Sequence, residues 1–303
     1  MIVDSPAAAR AAFSGREPLP AAAPTARAAF LVSPIGFRLA DESASDNHYM
    51  DLGVDVSEER ALLEHNRLAR ALGSTLPVLT LPGDPATPDA VFPNNVFATV
   101  PGKLIVGSMR HPVRRREAER KDVRELFSAL AGYKVVDLPS SVVAELTGPL
   151  VIDRARNLGF CGLSERCDRR GAEAMHEAFG LDLTFVFDLA PGEYHTNVVM
   201  SVLAGRALVV HAASFADPAV PRAIAGLYEP AVIWLDDREK AAFVGNCIAL
   251  SATDLWMSGG AAAALTPAHR GELDQLGFRI HSVPLDEIEK GGGSLRCCVA
   301  EIF

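Results

Sequence analysis

The sequence predicts an α/β protein, a five-bladed α/β propeller built from ββαβ modules that repeat with pseudo-fivefold symmetry. From residue 28 onward, short apolar strands alternate with amphipathic helices. An extended pair, a helix and a third strand recur together as a larger unit. The polar residue that opens each unit returns after 50 or 51 residues. Self-similarity near this period is typical of solenoids, propellers and arrays.

The modules are predicted one after another along the chain. Each consists of an antiparallel pair joined by a turn, a connection that is helical in most copies, and a closing strand. The fifth copy opens at Cys297 and runs off the end, so its helix, which Ser57 caps, and its last strand must come from residues 28–81. The first module has the segments 95–107, 113–131 and 134–138, and the second has 145–163, 168–179 and 183–187. The third has 195–211 and 232–235. The fourth begins at 246 and has a helix from 266 and a strand at 278–283.

The opening residues of the five copies are all polar. In a closed propeller, the first strand of every module lies at the centre, so these residues would converge on one axial pocket: Asn95, Glu145, His195, Asn246 and Cys297. The alternative is an α/β sandwich in which insertions equalise the spacings and each polar residue caps a strand. A thiol, an imidazole and a carboxylate in one register favour the propeller, because a nucleophilic enzyme requires this set.

Composition narrows the class of partner. The 303 residues include 29 basic and 38 acidic side chains, and a net charge of -9 argues against nucleic acid or an anionic membrane as a partner. A small polar metabolite fits better. No apolar run approaches the roughly 20 residues that cross a bilayer. Five cysteines without paired CxxC spacing indicate neither a disulfide framework nor a zinc site, which favours a reducing cytoplasm.

The chain divides into an N-terminal arm and one catalytic domain. Residues 1–27 are rich in alanine and proline and lack the features of a secretion signal, so we predict an extended or poorly ordered arm. Residues 28–303 form the single predicted domain. It contains no Walker loop and no HExxH helix, and the sequence therefore predicts no metal and no cofactor.

The predicted chemistry is covalent catalysis by a thiol. Cys297 follows three glycines on a predicted strand and is the candidate nucleophile, attacking as the thiolate. His195 would protonate a leaving group and then activate water, and Glu145 would orient a carbon–nitrogen group. Cys298 would face the opposite side of the strand. The alternative is that both cysteines are a buried, inert structural pair.

Several separated motifs resemble those of the guanidino-group modifying enzymes of the pentein fold, a five-bladed α/β propeller. These enzymes are the arginine deiminases, the amidinotransferases and, most similar, the dimethylarginine dimethylaminohydrolases. The resemblance covers about residues 28–303. Its motifs are FPNNVF at 92–97, PVRRRE at 112–117, ELTG at 145–148, GLSERCD at 162–168, His195 with Ser201, GNCI at 245–248 and GSLRCC at 293–298.

The resemblance implies the roles of nucleophile for Cys297, general acid and base for His195 and orienting acid for Glu145. It places Arg114 and Arg166 on a substrate α-carboxylate, a group that guanidinium forks suit. Asn246 also falls on a family motif and is predicted to bind substrate. The alternative is that Arg114 lies on the solvated face of a basic helix and binds no substrate.

One departure from the family concerns the substrate. An acidic pair in these enzymes is replaced by Asn94 and Asn95, which contribute no charge, so cation binding would be weaker by roughly 1 to 2 kcal/mol. The predicted activity is hydrolysis of an arginine-like guanidino or a citrulline-like ureido group. An amidinotransferase and a catalytically silent binding protein are the alternatives. The resemblance also leaves a homodimer open.

Overall fold

The computed structural model describes residues 1–19 and 22–303, and this part of the chain has a mixed α/β fold. Its strands are β1 (Ile2–Val3), β2 (Ala28–Val32), β3 (Val78–Leu81), β4 (Phe97–Val100), β5 (Lys103–Val106), β6 (Lys134–Asp137), β7 (Leu150–Asp153), β8 (Leu158–Leu163), β9 (Leu183–Asp188), β10 (Met200–Leu203), β11 (Ala207–Val210), β12 (Val232–Trp234), β13 (Ile248–Ala249), β14 (Asp254–Ser258), β15 (Arg279–Val283) and β16 (Ala300–Ile302).

The α-helices are mostly short. They are α1 (Pro6–Phe13), α2 (Asp41–Ala44), α3 (Glu58–Leu72), α4 (Pro112–Ala118), α5 (Lys121–Glu125), α6 (Arg169–Phe179), α7 (Thr196–Val199), α8 (Ala219–Ala225), α9 (Asp237–Ala241), α10 (Gly259–Ala264), α11 (Pro267–Gln275) and α12 (Leu295–Cys298). A π-helical turn (Leu126–Leu130) follows α5, and 3-10 turns occupy Pro93–Asn95, Ala212–Ser214 and Ile288–Gly291.

Five separate sheets repeat one pattern of strand pairing. In each sheet an antiparallel pair is followed by a parallel strand, which the chain reaches after a crossover. The orders are β4-β5-β6, β7-β8-β9, β10-β11-β12, β13-β14-β15 and β16-β2-β3, and β1 adds to the outer edge of β9. The predicted modules therefore correspond to five sheets, including the one assembled from both ends of the sequence.

The first strands of several sheets lie side by side: β16 beside β4, and β10 beside both β7 and β13. No hydrogen-bonded ladder joins one of the five sheets to another within residues 1–19 and 22–303. The mixed α/β class is confirmed, whereas the arrangement of the sheets as five blades about one axis stays a prediction.

Helix α6 illustrates how a crossover helix covers its sheet. The side chain of Asp168 accepts a hydrogen bond from the backbone N–H of Gly171 at the N-terminus, and Gly180 ends the helix in the left-handed conformation. Met175 and Phe179 are buried against β8 and β9. Burial of such side chains stabilises the fold by about 1.5 to 3 kcal/mol each.

The beginning of the chain differs from the predicted extended or poorly ordered arm. Ile2 and Val3 pair in parallel with Thr184 and Phe185, and α1 packs against α8. Phe13 contacts the rings of buried phenylalanines edge-on. The expectation of an unpacked arm is wrong for residues 1–13, because local alanine and proline content gives no sign of these apolar contacts. Pro20 and Ala21, also in the predicted arm, lie outside the described residues.

None of the helices in the described ranges is long and apolar enough to span a bilayer.

Candidate active site

The cysteine predicted to begin a strand lies instead in a single helical turn, α12. Gly292, which ends the preceding 3-10 turn, has a left-handed φ of 75° and is separated from α12 by Gly293 and Ser294. The backbone N–H of Cys297 donates to the Ser294 carbonyl at 2.9 Å, and the strand begins only at Ala300. The glycines therefore reverse the backbone into a turn, which the apolar pattern of this segment does not indicate.

The thiol of Cys297 is buried, with 2% of the residue exposed, and is surrounded by amides. Nδ2 of Asn246 donates to its Sγ at 3.3 Å, and the side chain of Asn197 lies 3.8 Å away. Burial raises the pKa of the thiol, and the Asn246 amide opposes this shift by stabilising the thiolate. In the free protein, Cys297 therefore stays largely protonated near neutral pH.

His195 and Glu145 form a buried hydrogen-bonded pair. The distance from Nε2 of His195 to Oε2 of Glu145 is 3.0 Å, and both residues are fully buried. Burial lowers the pKa of His195, so the imidazole is neutral near neutral pH. Burial also opposes ionisation of Glu145, but the charge of Arg166 and the histidine hydrogen bond hold its pKa well below the usual range.

The position of the imidazole depends on a close backbone approach at Gly148. A Cβ atom on this glycine would lie 2.6 Å from Cε1 and from Nε2 of His195. Tyr194 packs over the other face of the ring, with centroids 4.4 Å apart. The imidazole is thus held between a glycine and an aromatic ring, which explains why the ELTG motif ends in glycine.

Cys297 lines a small cavity of about 20 Å³, whose wall contains both polar and apolar side chains. This volume suits about one water molecule. The cavity is lined by Ser43, Asn47, Met50, Asp89, Phe92, Asn95, Arg114, Arg166, Tyr194, Gly291, Gly293 and Cys297. Three of the predicted substrate-binding residues therefore lie with the predicted nucleophile.

Arg114 is buried rather than on a solvated basic face. Its Nε lies 2.7 Å from Oε1 of Glu117, and Nη2 donates to the Phe92 carbonyl and to Oδ1 of Asn95 at 3.0 and 3.3 Å. Burial raises the pKa of Glu117 to about 8, although the neighbouring Arg114 opposes the shift. The pair fixes the guanidinium at the cavity wall.

Arg166 connects the cavity to the His195–Glu145 pair. Its Nη1 lies 3.2 Å from Oε2 of Glu145, and its Nε donates to Oδ1 of Asp46 at 2.7 Å. Nη2 donates to the carbonyl of Ser43 at 2.9 Å. Residues 43–50 therefore cover the cavity, to which Ser43, Asn47 and Met50 contribute lining.

The predicted site residues differ in how they relate to the cavity. It is lined by Asn95, Arg114, Arg166 and Cys297, whereas Glu145, His195 and Asn246 do not line it but are linked to it through Arg166 and Cys297. Asn246 donates to the carbonyl of Asn197 at 2.8 Å as well as to the cysteine, which ties two modules together. Asn94 is buried, but its amide nitrogen faces Thr147, at 3.3 Å from Oγ1, and it does not line the cavity. Adjacent residues of a 3-10 turn point in different directions, so only Asn95 of the pair reaches the cavity.

Two polar residues at the site were missed from the sequence. Asp89, 2% exposed, lines the cavity and accepts a hydrogen bond from Ser43 Oγ at 2.6 Å. It lies in the connection before the first module and outside the fifty-residue register. Asn197 follows His195 by two positions, and residues two apart share one face of the strand that the sequence predicts here, which is the signal that could have indicated it.

No group of three or more His, Cys, Asp or Glu side chains in the described ranges has an arrangement that could hold a metal ion. All five cysteines are free thiols, and the closest pair, Cys161 and Cys167, has its sulfurs 3.7 Å apart.

A family match over most of the chain defines the class of protein. The family model for eukaryotic N,N dimethylarginine dimethylhydrolases matches residues 33–303, and the chain belongs to that family. Family membership confirms the resemblance inferred from the motifs and makes the protein a hydrolase of the carbon–nitrogen-bond class.

Individual relatives are distant in sequence. The chain is 26% identical over 266 residues to the N(G),N(G)-dimethylarginine dimethylaminohydrolase of Mycobacterium tuberculosis, covering 84% of this chain and 80% of the relative. It is 23% identical over 263 residues to the uncharacterized protein YkgA of Bacillus subtilis, with coverages of 86% and 85%.

Two solved structures show the same fold. The substrate-bound N-terminal domain of ArgZ, an arginine dihydrolase of cyanobacteria, has a TM-score of 0.79 at 18% identity and covers 91% of this chain and 97% of its own. A dimethylarginine dimethylaminohydrolase variant in an adduct with S-methyl-L-thiocitrulline has a TM-score of 0.72 at 21% identity, with coverages of 91% and 100%.

Proposed function

We propose that the protein hydrolyses a carbon–nitrogen bond of a free, arginine-type guanidino substrate through a covalent intermediate on Cys297. One observation carries the proposal: Cys297 lines a cavity whose wall also includes a buried carboxylate residue, Asp89, and two buried arginines, Arg114 and Arg166. A substrate that carries both a cationic head and a carboxylate matches such a lining.

The proposed reaction begins when the Cys297 proton passes to His195 and the thiolate sulfur attacks the guanidino carbon. As the carbon–nitrogen bond breaks, the imidazolium returns the proton to the departing amine. The product on the enzyme is an S-alkylthiouronium. His195 then takes a proton from water, whose oxygen bonds to the same carbon. Cleavage of the carbon–sulfur bond releases a ureido product and restores the thiol.

Glu145 has two tasks in this scheme. Its ionised form holds Nε2 of the imidazole and stabilises the imidazolium that forms during attack. Its negative charge also favours a guanidinium near the sulfur. Because Arg166 and His195 keep the pKa of Glu145 low, this charge persists across the physiological range.

The balance of buried charge supports a guanidinium over a neutral ureido group. Of the carboxyl groups near the cavity, Glu117 pairs with Arg114, Glu145 with Arg166, and Asp46 with both Arg166 and Arg110. Asp89 lines the cavity and, within the described residues, accepts a hydrogen bond from Ser43 but has no arginine partner. A cationic guanidinium can pair with this carboxylate, whereas the neutral ureido group of citrulline cannot. Asp89 thus replaces part of the charge that the asparagine pair at 94 and 95 lacks.

Arg114 and Arg166 are the proposed partners of the substrate α-carboxylate. Arg166 is bound to Asp46, so a substrate carboxylate has to replace this contact. The present cavity is also too small for an arginine side chain, and binding therefore requires residues 43–50 to withdraw. The five sheets are proposed to stand as five blades around this cavity, an arrangement supported by the side-by-side first strands.

The test is calorimetric titration of the Cys297→Ser protein with arginine, dimethylarginine and citrulline, combined with the mass of the adduct trapped on the wild-type protein. The proposal expects tighter binding of a guanidino compound and a mass gain on Cys297. Tighter binding of citrulline would instead indicate that the substrate carries a ureido group. No binding and no reactivity toward iodoacetamide would indicate a silent binding protein.

Hydrolysis and amidino transfer differ in the molecule that attacks the covalent intermediate on Cys297, which is water in the first case and an amine in the second. If an added amine accelerates turnover and appears in the product, the intermediate is passed to that amine, and the proposed hydrolysis is wrong. Turnover that yields a ureido product and is unaffected by amines supports attack by water.

A further inference from the structure

A second polar cavity lies behind the candidate active site. It has a volume of about 40 Å³ and does not include Cys297, Asp89, Arg114 or Arg166 in its lining. Its wall is formed by Pro24, Thr147, Val151, Ile152, Arg154, Asn197, Ser201, Val202, Cys247, Ile248, Ala249, Arg296 and Glu301. The volume is enough for a few water molecules or one small polyatomic ion.

The most unusual group in this cavity is Arg154. Its guanidinium lies over the rings of Phe303 and Phe179, at 4.1 and 5.6 Å from their centroids. Its one hydrogen bond in residues 1–19 and 22–303 is a long contact of 3.4 Å from Nη2 to the Thr99 carbonyl, and no carboxylate in these ranges pairs with it. Two aromatic faces hold the guanidinium flat, and most of its N–H donors are unused.

The second guanidinium of the cavity belongs to Arg296. It is paired with Glu301, from Nη2 to Oε2 at 2.8 Å, and Nη1 donates to the Val299 carbonyl at 3.0 Å. The charged groups that line the cavity therefore sum to one net positive charge, carried by Arg154. Arg154 is partly exposed and carries this charge without a carboxylate partner in the described ranges, and a bound anion would pair with it and use the free N–H groups.

We propose that this rear cavity is a binding site for a small oxyanion, a phosphate or a carboxylate group, held principally by the guanidinium of Arg154 with Arg296 as the second cation. Fork-shaped guanidinium groups bind the paired oxygens of such anions. Hydroxyl and amide groups of Thr147, Ser201 and Asn197 complete a polar wall. The site is independent of the proposed hydrolysis.

The rear site adjoins the thiol through two residues. Asn197 lines the cavity, and its side chain also lies 3.8 Å from Sγ of Cys297. Arg296 directly precedes Cys297, and its positive charge favours the thiolate. An anion bound between the two arginines would offset that charge, so occupancy of the rear site would make ionisation of the thiol less favourable.

The probe is inorganic phosphate, and the measurement is the melting temperature of the full chain at constant ionic strength, which separates binding from screening. The expected result is a saturable rise in melting temperature. Arg154→Gln should weaken phosphate binding by about tenfold or more. The control is Arg206→Gln, because Arg206 also stacks on a phenylalanine, 4.5 Å from the Phe278 centroid, and donates to backbone carbonyls, but lies outside the cavity.

A second variant covers the case in which Arg154→Gln fails to fold. Ile152→Glu brings a carboxylate into the lining from a partly exposed position while leaving Arg154 in place, and should also abolish the phosphate effect. The proposal is overturned if phosphate gives no saturable shift, or if the shift survives Arg154→Gln or Ile152→Glu. It is equally overturned if the shift is lost only in Arg166→Gln, because phosphate would then occupy the active site.

Discussion

Nδ2 of Asn246 lies 3.3 Å from Sγ of Cys297, within hydrogen-bonding distance of a sulfur acceptor. The same amide donates to the carbonyl of Asn197 at 2.8 Å, which fixes its orientation. Burial raises the pKa of the thiol, and this amide is the first of the groups that lower it. Asn246 therefore tunes the ionisation of the proposed nucleophile and also contacts the segment that follows His195.

The first prediction concerns pH. The reaction of Cys297 with iodoacetamide, and kcat/KM for a guanidino substrate, should increase with pH as the thiol ionises. Asn246→Ala removes a donor to the thiolate and should raise the thiol pKa by about one unit, which corresponds to roughly 1.4 kcal/mol. At neutral pH, alkylation should therefore slow about tenfold. Asn66→Ala, in an exposed part of α3, is the control. An unchanged pH profile in Asn246→Ala would contradict this role.

The second prediction distinguishes the two adjacent cysteines. Cys297→Ser should reduce kcat by at least about a thousandfold, because a hydroxyl is a poor nucleophile in this setting. Cys298→Ser should keep its activity but lose stability, since Cys298 is fully buried among apolar side chains. Steady-state kinetics with thermal unfolding of both proteins makes the comparison. Full activity of the Cys297→Ser protein would reject the covalent mechanism.

The third prediction tests the position of the imidazole. In Gly148→Ala, the added methyl group would lie 2.6 Å from the His195 ring, so the ring must shift away from Glu145. We expect kcat to fall about a hundredfold with little change in KM. Gly271→Ala is the matched control, because its Cβ meets nothing within 4 Å in the helix α11. Equal kinetics for the two variants would show that the glycine does not position the histidine.

The fourth prediction concerns the carboxylate missed from the sequence. Asp89→Asn should weaken binding of arginine by about tenfold, which is the loss of one charge-assisted hydrogen bond, and should affect citrulline far less. Titration in the Cys297→Ser background measures binding without turnover. Asp237→Asn provides the control, since that side chain is 95% exposed. Equal weakening for both ligands would mean that Asp89 does not recognise the cation.

The fifth prediction addresses the N-terminal segment. Phe13 packs 6.0 and 6.2 Å from the ring centroids of Phe160 and Phe185. Phe13→Ala should lower the free energy of unfolding by about 3 kcal/mol while leaving KM unchanged. Leu130→Ala, at a residue that is 81% exposed, should have almost no effect on stability. Denaturant titration checks both values, and loss of substrate affinity in Phe13→Ala would give the segment a role beyond packing.

Much of the fold could be predicted from the sequence because the repeat is regular. The fifty-residue spacing follows the beginning of each sheet, and this register is what selected Asn95, Glu145, His195, Asn246 and Cys297 as candidate site residues. Side-chain direction could not be found in the same way. Asn94 differs from Asn95 by one position in a 3-10 turn and faces Thr147 instead of the cavity.

Apart from Asn197, the residues that were missed lie outside the repeat. Asp89 reaches the cavity, and Asp46 reaches Arg166, from connections between elements, where no periodicity constrains the chain. The packing of residues 1–13 was missed for a related reason, since β1 joins the edge of a sheet whose other strands are far along the sequence. Contacts of this kind depend on the assembled surface, which a local pattern does not describe.

The fifth sheet has a kinetic consequence. Ala300 pairs with Phe30, so the strand after the cysteine finds its partner near the opposite end of the polypeptide. During synthesis, β2 and β3 emerge early from the ribosome and must wait with an unpaired edge until β16 appears. Closing such a long loop costs configurational entropy and slows folding. Reactivity of the thiol should therefore mature late in folding, when β16 and β2 pair.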